Sequence, residues 1–153
     1  MTTTGTSATG QAPATAAPRL GPRRLVSALW LFAVLNYLYC DVLGFYYAPH
    51  LRELLDGRAG SIEVTQGFLL GSAVLMSVPM AMTLVSRTAP QPVARWATVG
   101  AGAVMTLVQA ASLLVGSSLT LHYVYFSAIE IATTLFLALY AAFRWHAEHP
   151  GDR

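Results

Sequence analysis

Two carboxylic acids stand inside stretches that are otherwise apolar and aromatic. Asp41 lies in FAVLNYLYCDVLGFYY, and Glu130 lies in HYVYFSAIEIATTLF. An ionised acid is expensive in a hydrocarbon setting, so such residues face protein or a water-filled cavity, where they mark proton or substrate chemistry. Tyr37 and Asp41 are four residues apart and share a helix face, with Asn36 and Tyr39 close by. His122, Phe126 and Glu130 form a second stripe, with Tyr123 and Ser127 alongside. In its protonated form Glu130 could be a general acid, a proton relay or a hydrogen-bond donor. Asp41 and Glu130 are therefore the expected acid/base pair. Asn36, Tyr37, Gln66, Gln109, His122 and Tyr123 are the residues expected to bind and orient a substrate, and Glu63 adds a further polar group near Gln66.

Two carboxyls with tyrosines and a histidine suit proton transfer on a lipophilic small molecule. Proton donation to an alkene or epoxide, isomerisation and cyclisation all fit an acid in a dry pocket, where aromatic ring faces stabilise a developing cation. Other chemistries lack their residues. No serine sits in a nucleophile elbow, and no glycine-rich phosphate loop is present; Gly100 and Gly102 read as packing positions inside a span. The single cysteine, Cys40, excludes an intramolecular disulfide and a multi-cysteine metal or iron–sulfur site within one chain. The four histidines do not cluster as metal ligands; His146 and His149 flank Glu148 only in a polar tail. No metal and no cofactor are expected. Two rival classes use the same residues: a proton-coupled or small-molecule transporter, and a membrane subunit or scaffold without chemistry.

The elements that must position these groups are membrane spans. Hydrophobic types make up 55% of the 153 residues and charged types 10%, against roughly 25% charged in a soluble domain. A small soluble protein has too much surface to cover with so little charge. Residues 1–20 read as a disordered Thr/Ala/Gly/Pro tail. Four spans follow at about 25–47, 63–85, 94–115 and 119–143, within a domain over 21–147, and a polar tail closes the chain at 148–153. The expected fold is an all-α integral membrane four-helix bundle. His50 to Leu55 reads as a short interfacial helix stopped at Gly57, SRTAPQP as a short polar connection, and Gly116-Ser117-Ser118 as a minimal turn. Gly67 and Gly71 form a small-xxx-small pattern that lets helices approach closely. Pro79 falls inside the second span, where a kink is tolerable.

All nine basic residues are arginines. Arg19, Arg23, Arg24, Arg87, Arg95, Arg144 and Arg153 fall on the side of the N-terminus, and Arg52 and Arg58 on the other. That bias predicts a multi-pass protein of the cell inner or plasma membrane with both termini in the cytoplasm. It also places Asp41, Glu63, Gln66, Gln109 and His122 in the outer half, around a polar cavity floored by Glu130. Membrane lipids and a lipophilic small molecule are the expected partners, with a homo-oligomer formed through the small-residue faces of spans 2 and 3 as a further one. The charge is too mild and dispersed for nucleic-acid binding.

The segments LNYLYCD, VTQGFLLGSAVLM and YFSAIEI resemble a group of small, uncharacterised bacterial four-helix membrane proteins. In that pattern Asn36, Tyr37 and Asp41 match the first helix, Thr65, Gln66 and Gly67 the start of the second, and Glu130 the fourth. The resemblance covers about residues 26–145 and implies the four-helix fold but no reaction. In architecture alone the chain also resembles DoxX-type membrane proteins, some of them tied to quinone or thiol redox systems. Cys40, without a partner cysteine, argues against thiol redox chemistry here.

Overall fold

A computed structural model describes residues 21–115 and 120–145. The expected disordered tail, the Gly116-Ser117-Ser118 turn and the tail carrying His146 and His149 lie outside the described residues. The elements in order are α1 (Pro22–Phe45), α2 (Ala48–Leu55), β1 (Arg58–Ala59), β2 (Ile62–Glu63), α3 (Gln66–Thr88), α4 (Gln91–Val115) and α5 (Leu121–Phe143). Among the described residues four helices are long and apolar enough to cross a membrane: α1, α3, α4 and α5. The fold is the expected all-α four-helix bundle, and the protein is a multi-pass membrane protein.

Local chemistry explains the boundaries. Pro22 occupies the first turn of α1, where a missing N–H costs nothing. The Thr65 hydroxyl caps α3 by accepting the Phe68 N–H at 3.2 Å. That cap starts α3 three residues after the expected start of the span at Glu63, which instead pairs with Arg58 in the β1–β2 hairpin. Gly57 and Gly60 hold φ of +74° and +62°, the left-handed values that end α2 and turn the hairpin. The SRTAPQP connection is mostly helical. Ser86 and Thr88 turn their hydroxyls onto the carbonyls of Met82 and Leu84 at 2.8 and 3.0 Å, so their polarity does not interrupt α3. Pro90 does, by forcing Ala89 into extended backbone at ψ 157°.

The spans form a ring in which α1 packs on α3 and α5, and α4 packs on the same two. One end carries the start of α1, the α3–α4 turn and the end of α5; the other carries α2 and the hairpin. The two ends differ in packing. The first is filled by Val26, Trp30, Met82, Ala94, Leu137, Ala141 and Trp145, all buried. Arginines close it. Arg23 donates to the Ala89 carbonyl at 2.7 Å, and Arg95 to the carbonyls of Ala141 and Ala142 at 2.9 and 2.7 Å. These are the last carbonyls of α3 and α5, which have no partner within their own helices. Helix α3 is buried only toward this end, at Pro79, Met82 and Ser86. Its apolar span is 11% buried, against 39% for α1.

The glycines sort unevenly. A Cβ on Gly102 would meet the Thr134 carbonyl oxygen at 2.8 Å, so this glycine lets α4 lie directly against α5. Gly71 and Gly100 have nothing within 4 Å of such a Cβ, and Gly67 meets only the Thr65 hydroxyl of its own cap at 3.8 Å. The Gly67/Gly71 pattern thus forms no close helix approach within the chain, and of the Gly100/Gly102 pair only Gly102 packs.

Candidate functional site

Helix α5 turns Ser127, Glu130, Thr134, Leu137, Ala138 and Ala141 inward. The face is polar toward the α2 end and apolar toward the termini. Glu130 is 1% exposed. Across the bundle, α1 offers Asn36, whose amide donates to Glu130 Oε1 at 3.0 Å and to the Phe126 carbonyl at 3.2 Å. One amide therefore fixes one carboxyl oxygen and ties α1 to α5. Among the described residues no second hydrogen bond and no cation reaches the Glu130 carboxyl.

Tyr37 follows Asn36 on α1 and is 7% exposed. Its hydroxyl is buried, has no hydrogen-bond partner among the described residues, and lies within electrostatic reach of Glu130. A buried hydroxyl is usually bonded, so an unbonded one needs a reason. Cys40, also buried, lies within reach of both Glu130 and Asp41.

Asp41 is exposed on the surface of the chain, where the sequence predicts a carboxylate facing a pocket. At about 100° per residue, five residues turn Asp41 roughly 140° from Asn36, so the two cannot face α5 together. Ser27, seven and fourteen residues before Val34 and Asp41, donates to the Thr83 carbonyl of α3 at 2.9 Å. Asp41 thus faces the α3 side, turned by roughly 40° over two heptads. Equal rise in antiparallel helices puts it level with the first turn of α3, around Leu69. No residue of α3 is buried at that level, so this side of α1 stays open. His50 of α2 lies within electrostatic reach of Asp41, and its ring is the nearest group to a Cβ built on Gly44, at 3.5 Å.

A second polar cluster joins α4 to α5. Gln109 donates to Ser127 Oγ at 2.8 Å, Tyr123 to Ser112 Oγ at 2.7 Å, and Ser112 to the Gln109 carbonyl at 2.7 Å. Thr106 and Thr134 share a hydrogen bond of 2.8 Å one turn deeper. The Tyr123–Ser112 chain ends on a backbone carbonyl and the Ser127 hydroxyl accepts from an amide, so the cluster braces two helices.

Of the expected site residues, Asn36 and Glu130 are hydrogen-bonded; Tyr37 and Asp41 lie within electrostatic reach of Glu130, Tyr37 buried and Asp41 exposed. Gln109 and Tyr123 meet each other through Ser112. Gln66 is exposed on the first turn of α3, and Glu63 is exposed in the hairpin. His122 is half-buried, bonded to Thr120 at 3.3 Å rather than to Glu130. Sequence reasoning passed over His50, Ser112, Thr106 and Thr134. Small hydroxyl residues in apolar helices signal little, because most bond their own backbone, as Ser77, Thr83 and Thr98 do here.

The family model that covers residues 20–150 of this chain is described as a family of unknown function, DUF6326. The chain belongs to DUF6326. The match takes in all four spans of this DUF6326 protein, together with α2 and the hairpin. Neither a curated protein nor a solved structure matches it.

Proposed function

We propose that this DUF6326 protein is a membrane-embedded acid–base enzyme acting on a lipophilic small molecule, with the α2 end of the bundle toward the outside of the cell. The observation that carries the reading is the half-bonded carboxyl of Glu130: Asn36 holds one oxygen, and the other has no protein partner among the described residues. A carboxyl kept for structure alone would be bonded at both oxygens, or be replaced by an amide that is cheaper to bury. The exposed start of α3 supports access from the lipid, beside Asp41.

The test is native mass spectrometry of protein purified in gentle detergent, with identification of co-purifying small molecules. The wild type is expected to retain a specific lipophilic molecule that folded Glu130→Gln and Asp41→Asn lose. Loss of folded protein in both variants, with nothing retained by the wild type, would instead support a purely structural role for the two acids.

A further inference from the structure

Helices α1 and α3 meet along a seam whose register two hydrogen bonds fix. Ser27 donates to the Thr83 carbonyl at 2.9 Å, and one turn nearer the termini Arg23 donates to the Arg87 carbonyl at 3.3 Å. Counted from Ser27 and Thr83, the two helices behave alike. The residues one before and three after are buried in both: Val26 and Trp30 on α1, Met82 and Ser86 on α3. The residues three before, one after and four after are exposed in both: Arg24, Ala28 and Leu31 on α1, Met80, Leu84 and Arg87 on α3. Antiparallel helices wind in opposite senses when viewed from one end, so equal offsets fall on the same side of the seam. At about 100° per residue, the exposed residues lie roughly 40–100° round from it. They line one lipid-facing groove. Equal rise sets Arg24 level with Ser86, beside Arg87, at the end of the groove nearest the termini. Ala28, Leu31, Met80 and Leu84 continue it toward the middle of the bilayer.

Arg23 and Arg95 spend their guanidinium groups on helix-end carbonyls. Among the described residues, the side chains of Arg24 and Arg87 make no hydrogen bond or ion pair. No described acid stands at their end either: Asp41, Glu53, Asp56 and Glu63 lie toward the α2 end, and Glu130 lies between. Arg24 sits in the first turn of α1, where a cation opposes the helix dipole, so the helix gains nothing from its charge. Guanidinium groups match phosphate, which they hold through paired N–H donors. At the head of an apolar groove open to the bilayer, that phosphate belongs to a lipid. Two uncompensated cations favour a headgroup that brings no cation of its own. We infer that the lipid-facing side of the α1–α3 seam binds an anionic phospholipid of the leaflet at the termini end, its phosphate held by Arg24 and Arg87 and one acyl chain lying in the groove over Ala28. The site uses neither Glu130 nor Asp41, so it stands apart from the enzyme reading.

The test is native mass spectrometry of the full chain, delipidated in gentle detergent and given equal amounts of dioleoyl-phosphatidylglycerol and dioleoyl-phosphatidylcholine. Wild type is expected to retain phosphatidylglycerol over phosphatidylcholine by about twentyfold. Arg24→Gln and Arg87→Gln are each expected to cut that preference about fivefold, the effect of one arginine at a lipid surface. Both side chains are exposed and make no bond among the described residues, so both variants fold. Ala28→Phe fills the groove and leaves both arginines in place; it is expected to weaken retention of phosphatidylglycerol about three- to tenfold. Arg144→Gln, at the same end but on α5, is expected to leave the preference unchanged. Equal retention of the two lipids by wild type would overturn the inference. So would a preference that Arg144→Gln reduces as much as Arg24→Gln does, which would mark a diffuse positive surface. Retention untouched by Ala28→Phe would remove the acyl chain from the groove. Displacement of phosphatidylglycerol by an equimolar amount of soluble glycerol 3-phosphate would overturn the lipid in favour of a free phosphate.

Discussion

Asn36 is the residue on which the site turns, because its single amide supplies the only bond to the Glu130 carboxyl among the described residues and also reaches the Phe126 carbonyl. Removing the amide strands a buried acid. Asn36→Leu is expected to lower stability by about 1–3 kcal/mol, measured by unfolding in mixed micelles. Tyr37→Phe is expected to change stability by less than about 0.5 kcal/mol, since its hydroxyl has no partner to lose among the described residues. A large loss in Tyr37→Phe would show that the hydroxyl is bonded after all. These residues are legible in the sequence because polar groups stand out against an apolar background. Their sorting is not. Whether Asn36 or Asp41 looks inward depends on which side of α1 meets α5, and that is set by packing across the whole helix.

At the scale of elements, close packing and open packing alternate along the bundle. Gly102→Ala would drive a methyl into the backbone of α5, and a loss of about 1–3 kcal/mol is expected from such overpacking. Gly71→Ala and Gly100→Ala meet nothing, and should be neutral or stabilising by up to about 1 kcal/mol. Thermal unfolding of the three variants in one detergent checks the contrast; equal effects would contradict the packing described here. Span number and approximate limits are legible from hydropathy alone, as is α2 from its proline and following glycine. The glycine pairs are not, since Gly67-xxx-Gly71 has the more familiar spacing and Gly102 makes the closer approach. Spacing says that an approach is allowed; only the neighbour decides whether it happens.

For the whole molecule, the decisive asymmetry runs from end to end. The arginines that predict orientation also cap helices: Arg95 bonds two terminal carbonyls of α5. Arg95→Met is expected to destabilise the bundle by about 1.5–3 kcal/mol, a loss that mixed-micelle unfolding would register. Reporter fusions at the two ends of the chain are expected to give the same, cytoplasmic, signal; opposite signals would contradict an even number of crossings. Helix α3 shares this asymmetry, being buried at Pro79, Met82 and Ser86 and nowhere nearer its start. Mechanically it is a beam clamped at one end. A small angular fluctuation at the clamp grows toward the start of the helix by about 1.5 Å of lever per residue, and the acyl chains around that exposed start help to resist it. Bilayer order is therefore expected to influence how closely the start of α3 lies to Asp41. Spin labels on α1 and on the first turns of α3 are expected to show broader separations in fluid, unsaturated lipid than in ordered, saturated lipid, which makes the membrane itself a mechanical component of the site.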